Sequence, residues 1–436
     1  MSFSVKGQNV AVVGAARSGV AAALLLVERG ARVTLSDAKQ QLEGPMEEQL
    51  RRAGVALELG GHQPATLAHA DLIVVSPGVP LDQPMFADAR HAGVPIIGEI
   101  ELASRWLSGR IVAITGTKGK STTTTLTGRM FAEGGRRALV GGNIGVPLSA
   151  QVAASTPETY HIVEVSSFQL ETTETFHPWI AVLLNLSSDH LDRHGSMEAY
   201  GLAKAKIFAN QTPEDWAVIN ADDPQTLELA RAGRARQVLF SARTPLVPLA
   251  SIRLIGRHLV ADVMAAAAVA GIAGIGREAM VRAVEGFTGL EHALEPVSAI
   301  RGVQFINDSK ATNIEAAKMA IEAFDGNVVV ILGGRFKSGD FRLLREPLKS
   351  RGAAVVAIGE ATPLIQEALA ATVPVHPATN LAEAVRRGFE LASPAGTVLL
   401  APACASFDMF FDYAERGRVF KTEVKKLAEE LTTRER

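Results

Sequence analysis

The 436-residue chain has little of several things that would place it at once. Its one cysteine, Cys404, excludes an internal disulfide and a cysteine-based zinc site, and suits a reducing compartment. A formal net charge of −2 gives no sign of nucleic acid or an anionic membrane as an obligatory partner. No apolar run approaches the roughly eighteen residues of a membrane span, because charges interrupt every long stretch. Lys6 is followed by a strand-like run that Gly14 breaks, so the beginning of the chain does not read as a signal peptide. What is present is ordinary for a soluble protein: 47% hydrophobic and 21% charged residues. The length exceeds what one core can organise and predicts two or three domains. A cytoplasmic, multi-domain protein is expected, with no nucleic-acid or membrane partner.

The most informative segment is ITGTKGKSTTT, Ile114 to Thr124. It follows an apolar run, Ile111 to Ala113, and leads into a segment able to continue as a helix. Strand, glycine turn, lysine, hydroxyl and helix make a phosphate cradle. Backbone N–H groups and the helix start face the anion, Lys120 adds a point charge, and Ser121 or Thr122 can ligate Mg²⁺. The loop is the short form G-x-x-G-K-S, Gly116 to Ser121, with Ile114 where the usual P-loop has its first glycine. The plain alternative is a glycine turn with an incidental lysine.

Three α/β units follow one another. The first reads as strand (Asn9 to Val13), glycine turn (Gly14 to Gly19), helix (Val20 to Arg29) and strand (Arg32 to Ser36), with a further strand from Asp71 to Val75. The second carries the cradle, with strands Ile111 to Thr115, Ile162 to Val165, Ala181 to Leu186 and Ala217 to Asn220, then an alanine-rich helix from Val263 to Ala273. In the third, Val328 to Leu332, Ala354 to Ile358 and Thr397 to Ala401 each run into a small-residue loop. Such short apolar runs predict parallel sheets covered on both faces. The domains are expected at 1–97, 98–290 and 291–436.

The turn Gly14-Ala15-Ala16-Arg17-Ser18-Gly19 is close to a dinucleotide fingerprint, but Ala16 holds the middle glycine's place. Asp37 stands where a ribose-binding carboxylate would. A nicotinamide cofactor, another nucleotide and plain sheet capping all remain open there. Glu164, inside an otherwise apolar strand, is costly unless paired or metal-bound, and reads as a Mg²⁺ ligand or as half of a buried ion pair. Asn185-Leu186-Ser187-Ser188-Asp189-His190-Leu191-Asp192 is either a surface loop or a metal site, and Lys204 and Lys206 read as a solvated helix face. Asn307 to Asn313 is polar for a helix start, with Asp308 or Ser309 a possible N-cap. Lys337 and Ser406 follow two further strand ends.

In this order the pieces resemble the Mur ligases, ATP-dependent amide-forming enzymes of peptidoglycan synthesis. GTKGKSTT, GNIG (Gly142 to Gly145), EVSSFQLE (Glu164 to Glu171), DHLDRH, YGLAK (Tyr200 to Lys204), NDSKATN, GGRFKSGDF (Gly333 to Phe341), LLAPACASFDMF and ERGRVF carry the likeness over essentially the whole chain. The resemblance implies three domains: an N-terminal Rossmann-like UDP-binding domain, a central P-loop ATPase-like sheet and a C-terminal Rossmann-like α/β domain. It implies ATP at Gly116, Thr117, Lys118, Gly119, Lys120, Ser121, Thr122, Asp308 and Lys310, and two Mg²⁺ ions at Ser121, Glu164, His190 and a carbamylated Lys204. Lys120, Glu164, His190 and Lys204 would be the catalytic group. Arg17, Ser18, Asp37, Lys39, Gly78 and Asn143 would hold a UDP-linked substrate, and Thr312, Lys337, Ser406 and Tyr413 would hold D-glutamate. Within the family the likeness is strongest to the branch that adds D-glutamate to UDP-N-acetylmuramoyl-L-alanine through an acyl phosphate. A monomer is expected. Another Mur-type amino-acid ligase is the nearer alternative, and a nicotinamide-dependent oxidoreductase, suggested by the first unit alone, the more distant one. The family's G-x-H-N-x-x-N segment is here Gly256 to Asp262, with Leu259 and Asp262 replacing both asparagines, and Ala293 replaces an arginine usually offered to ATP.

Overall fold

The computed structural model describes residues 3–252 and 258–433. The chain divides into two compact units, Met1–Ile252 with Val260–Glu285, and Arg253–Leu259 with Gly286–Arg436.

The first unit holds two sheets. Strands β1 (Asn9–Val13), β2 (Arg32–Asp37), β3 (Ala56–Leu59), β4 (Leu72–Val75) and β5 (Ile96–Gly98) lie in the order 3-2-1-4-5. All their pairings are parallel. Successive side chains of a strand face opposite ways, so Val10 and Val12 join one apolar cluster while Ala11 and Val13 join another. At the centre of the sheet both faces are covered, which is why β4 and β1 beyond Asn9 read as unbroken apolar runs.

The second sheet comprises β6 (Arg110–Thr115), β7 (Ala138–Gly142), β8 (Tyr160–Glu164), β9 (Ile180–Leu183), β10 (Trp216–Asn220) and β11 (Arg236–Phe240), in the order 11-10-9-6-8-7. It too is wholly parallel. The run expected to extend from Ala181 to Leu186 leaves the sheet after Leu183, because Asn185 turns to bind the phosphate loop.

The second unit has one sheet, of β12 (Glu295–Ile300), β13 (Val303–Asn307), β14 (Val328–Gly333), β15 (Ala354–Ile358), β16 (Val375–Pro377) and β17 (Thr397–Leu400), in the order 12-13-17-14-15-16. Its edge pair β12–β13 is antiparallel and the rest is parallel. The three expected apolar runs form its centre. The edge strand β12, with most of its residues half-buried or exposed, had no such signal. The N-cap that follows β13 is neither Asp308 nor Ser309. Asn313 caps the helix Ile314–Glu322, its Oδ1 accepting from the Ala316 N–H at 2.8 Å. No helix among the described residues is long and apolar enough to cross a membrane.

Two carboxylates fasten the first sheet to the second. The helix Glu99–Ser104 follows β5 directly, and both Glu99 and Glu101 are buried. Glu101 is desolvated, yet bonds from the Thr175 hydroxyl, the Glu174 and Thr175 N–H groups and Arg105 hold its carboxyl below the usual range. Glu99 accepts from the Ser149 N–H alone, its Oε2 has no partner, and burial pushes it up to about 7. A carboxyl that ionises more readily in the unfolded chain costs the fold nothing below about pH 4.5 and progressively more as pH rises toward 7. A gap of this size amounts to roughly 3 kcal/mol. Glu99→Gln is therefore expected to raise the urea midpoint of this unit at pH 8 and to change it little at pH 5. An equal shift at both pH values would contradict the titration.

Candidate active site

The phosphate loop lies at the carboxyl end of β6, between β8 and β9. The backbone demands its glycines. Gly116 has φ +154° and Gly119 φ +82°, and a Cβ on Gly116 would come within 2.9 Å of Leu184 Cβ. Gly119 N-caps the helix Lys120–Glu133. The Lys120 ammonium donates to the carbonyls of Gly116 and Thr117, each at 2.9 Å.

Asn185 braces the loop from the end of β9. Its Oδ1 accepts from the N–H of Thr117 at 3.1 Å and of Lys118 at 2.9 Å, and its Nδ2 donates to the Lys118 carbonyl. The Thr117 hydroxyl donates to the Ser187 carbonyl and accepts from the Ser187 N–H and the Tyr200 hydroxyl. The loop's shape is thus set by residues some seventy positions downstream. Asn185 was legible only as a polar residue after an apolar run.

Glu164 ends β8, in register with Ile114 of β6. It is 2% exposed. Its Oε1 accepts from Asn143 Nδ2 at 2.8 Å, while Oε2 is buried without a partner. The buried-ion-pair alternative is therefore not what this carboxylate does in the fold. An oriented carboxylate with one unspent oxygen suits a hard cation. Among the described residues no three His, Cys, Asp or Glu side chains form a metal cage. Mg²⁺ asks for no such cage, since it is held by one or two carboxylates together with waters and substrate phosphates.

Lys204 corrects its plain reading as part of a solvated helix face. It is 1% exposed, donates to the Gly116 carbonyl at 2.8 Å, and lies 4.5 Å from the Tyr200 ring centroid. Burial, and then the Lys120 charge, bring its amine down to about 6, against upward pulls from Asp189 and Glu164. His190 has φ +53°, a half-exposed ring 4.8 Å from that of Phe168, and Nε2 3.8 Å from Asp189 Oδ2. Asp189 in turn reaches Lys118 Nζ at 3.9 Å, joining the His190 loop to the phosphate loop.

Five of the six candidate UDP-side residues, Arg17, Ser18, Asp37, Lys39 and Gly78, lie at the carboxyl ends of β1, β2 and β4, around the point where strand order reverses, the usual binding crevice of such sheets, whereas Asn143 follows β7 of the second sheet. A Cβ on Gly14 would lie 2.8 Å from Ser76 Cβ, and one on Gly19 only 1.8 Å from the Gly14 carbonyl oxygen. These two glycines serve close packing, whereas Ala16 is exposed and its methyl is accommodated. Asp37 spends its carboxylate on the N–H groups of Ala15 and Lys39, so it shapes the crevice wall. Arg17 donates to the Gly145 carbonyl at 3.1 Å, Ser18 is half-buried, and Lys39, Gly78 and Asn143 are exposed.

In the second unit, loops after the adjacent strands β13, β17 and β14 converge. The Ala403 N–H donates to the Ala311 carbonyl, and Arg335 and Ala405 exchange backbone bonds. Buried Arg416 ties two of the loops, donating to the Ser309 hydroxyl and carbonyl and to the Cys404 carbonyl. Asp308, Thr312, buried Ser406 and exposed Lys337 and Lys310 are thereby brought to one end of the sheet, with Tyr413, 41% exposed, beside them. Burial pushes the Asp308 carboxyl up to about 7. Nothing in the sequence marked Arg416 beyond its place in a quoted motif. Of the segment that departs from the family pattern, Gly256 and Arg257 lie outside the described residues.

A phosphate loop flanked by an unpartnered carboxylate oxygen and a buried amine suits a nucleotide's phosphates with a hard cation, and the chain belongs to the Mur ligase family. Residues 8–98 match the Mur ligase MurD-like N-terminal domain, 114–250 the Mur ligase middle domain and 294–404 the Mur ligase glutamate ligase domain. The chain is 46% identical to the UDP-N-acetylmuramoylalanine–D-glutamate ligase of Acidobacterium capsulatum, over 96% of each. It is 42% identical to the enzyme of that name from Koribacter versatilis, over 98% of this chain and 99% of that one. Among solved structures it shares its fold with the MurF ligase of Thermotoga maritima in complex with ADP (TM-score 0.60, 17% identity, 98% of this chain and 97% of that one). The pseudomurein peptide ligase type C of Methanothermus fervidus is similar in fold (TM-score 0.59, 16% identity, 97% of this chain and 100% of that one).

Proposed function

We propose that this protein joins D-glutamate to UDP-N-acetylmuramoyl-L-alanine at the expense of ATP, in the synthesis of peptidoglycan precursors. The observation that carries the reading is the end-to-end likeness, at 42–46% identity, to relatives named for that ligation. The first unit would hold ATP's phosphates on residues 116–122 and the UDP moiety on Arg17, Ser18, Asp37, Lys39, Gly78 and Asn143. Asp308 and Lys310 of the second unit would contact the nucleotide, and Thr312, Lys337, Ser406 and Tyr413 would receive the amino acid's carboxylates and side. The reading places a monomeric enzyme in the cytoplasm, where a lone thiol such as Cys404 stays reduced.

A carboxylate does not react with an amine unaided. The alanyl carboxylate would take the γ-phosphoryl group of ATP to give an acyl phosphate and ADP. The neutral amine of D-glutamate would then attack the acyl carbon, lose a proton and expel phosphate. The chain's part is to bring anions together. Lys120 offers its charge at the loop, and the helix Lys120–Glu133 presents its N-terminal N–H groups. Glu164 Oε2, the Ser121 hydroxyl, His190 and a carbamate on Lys204 are the groups that would hold two Mg²⁺ ions, which when bound neutralise the crowded phosphate charge. A neutral lysine amine is what carbon dioxide requires, and the desolvated Lys204 provides one at pH 7.

The test is phosphate release by purified protein given UDP-N-acetylmuramoyl-L-alanine, ATP, Mg²⁺ and single amino acids. Release is expected with D-glutamate and not with L-glutamate or L-alanine. Release with UDP-N-acetylmuramate and L-alanine, and none with D-glutamate, would overturn the substrate assignment.

A further inference from the structure

One buried charge at the phosphate loop has no part in the ligation scheme. The helix His258–Ile272 lays Asp262 against Gly119, the residue that caps the phosphate-loop helix. Asp262 is 3% exposed. A Cβ on Gly119 would lie 2.0 Å from Asp262 Oδ1 and 2.7 Å from Oδ2, so the carboxylate rests directly on the glycine's open face. Its Oδ2 has no hydrogen-bond partner. From the phosphate-loop helix the Lys120 charge and then the Thr123 side chain act on it, and the sequence of its own helix holds one other ionisable residue, His258, with none from Val263 to Ile272. Burial pushes the Asp262 carboxyl up to about 7, with Lys120 pulling the other way.

The start of the phosphate-loop helix is where an anion is best held, and a carboxylate with one unpartnered oxygen lies against the glycine that caps it. We propose that Asp262 is an affinity-setting residue of the phosphate loop, its negative charge working against a nucleotide's phosphates so that loss of the charge tightens binding. The inference rests on the assignment of ATP to this loop. Like charges brought close in a low-dielectric setting oppose each other strongly. Linkage requires the converse as well: a bound phosphate makes Asp262 harder to ionise, so nucleotide binding near pH 7 takes up a proton. Protonated Asp262 would admit the anion, and ionised Asp262 would resist it.

Calorimetric titration of the full chain with ADP, at pH 6 and pH 8 and in two buffers of different ionisation enthalpy, tests this. Between those pH values the wild type should lose up to about tenfold more affinity than Asp262→Asn, a comparison that cancels ADP's own titration. Near pH 7 the wild type should also take up more protons on binding than the variant. Asp262→Ser, which removes the charge with a shorter side chain, should reproduce the flatter profile should the amide fail to fold. A merely structural role would change affinity by the same factor at both pH values. Equal pH dependence in the wild type and the variants overturns the inference and leaves the ligase reading standing. Absence of ADP binding by the wild type at either pH overturns the nucleotide assignment, and this inference with it.

Discussion

Lys204→Ala is expected to lose roughly 10²–10³-fold in turnover, the size of effect seen when one electrostatic stabiliser is removed from an active site. Added short carboxylic acids, such as acetate or propionate, should restore part of it. The reasoning starts from burial. Lys204 is sealed beneath the phosphate loop, bonded to the Gly116 carbonyl and packed on Tyr200, with its amine brought down to about 6. An amine held neutral there can attack carbon dioxide, forming an N–C bond and releasing a proton, and the product is an anion. Alanine leaves a gap that a small free carboxylate can enter. A purely packing role for Lys204 would show as lost stability with no rescue. Turnover measured with and without the acids, alongside ¹³C-bicarbonate labelling of the wild type, separates the two. No rescue and no carbamate signal would leave Lys204 a structural residue.

Glu164→Gln should be nearly as damaging to catalysis and harmless to the fold. Gln can keep the bond from Asn143 on its oxygen, while the buried oxygen that has no partner becomes an amide nitrogen. Leaving a charged carboxylate without a counterpart in the interior costs stability, so the variant's melting temperature should be unchanged or raised. Turnover should fall roughly 10²–10³-fold, and saturation should need more Mg²⁺. Stability set aside for a functional group is a recurrent trade in active sites. Wild-type turnover and Mg²⁺ dependence in this variant would remove Glu164 from the metal-binding role.

Much of the architecture was legible because its signals are local. A strand covered on both faces must be apolar at every position, and β4, β14 and β15 each show this in four to six residues. The phosphate loop was equally plain, since φ values of +154° and +82° need glycine at Gly116 and Gly119 whatever surrounds them. Where an element takes its stability from elsewhere the signal fades. β12 and β16 are edge strands with a partner on one side only, and their sequences alternate weakly.

The sequence by itself determined the succession of α/β units, the glycine turns at their strand ends and the chemical types gathered there. Each follows from periodicity and backbone sterics, which act over a few residues. Tertiary structure alone decided which polar groups are spent and which remain available. It assigned Asp37 to its own turn and Asn185 to the loop. It buried Lys204 rather than solvating it, and left Glu164 and Asp262 each with one oxygen unpaired. Burial and pairing depend on residues tens to more than a hundred positions apart. The short G-x-x-G-K-S spacing thus identified a cradle, and only the folded sheet showed which charges face it.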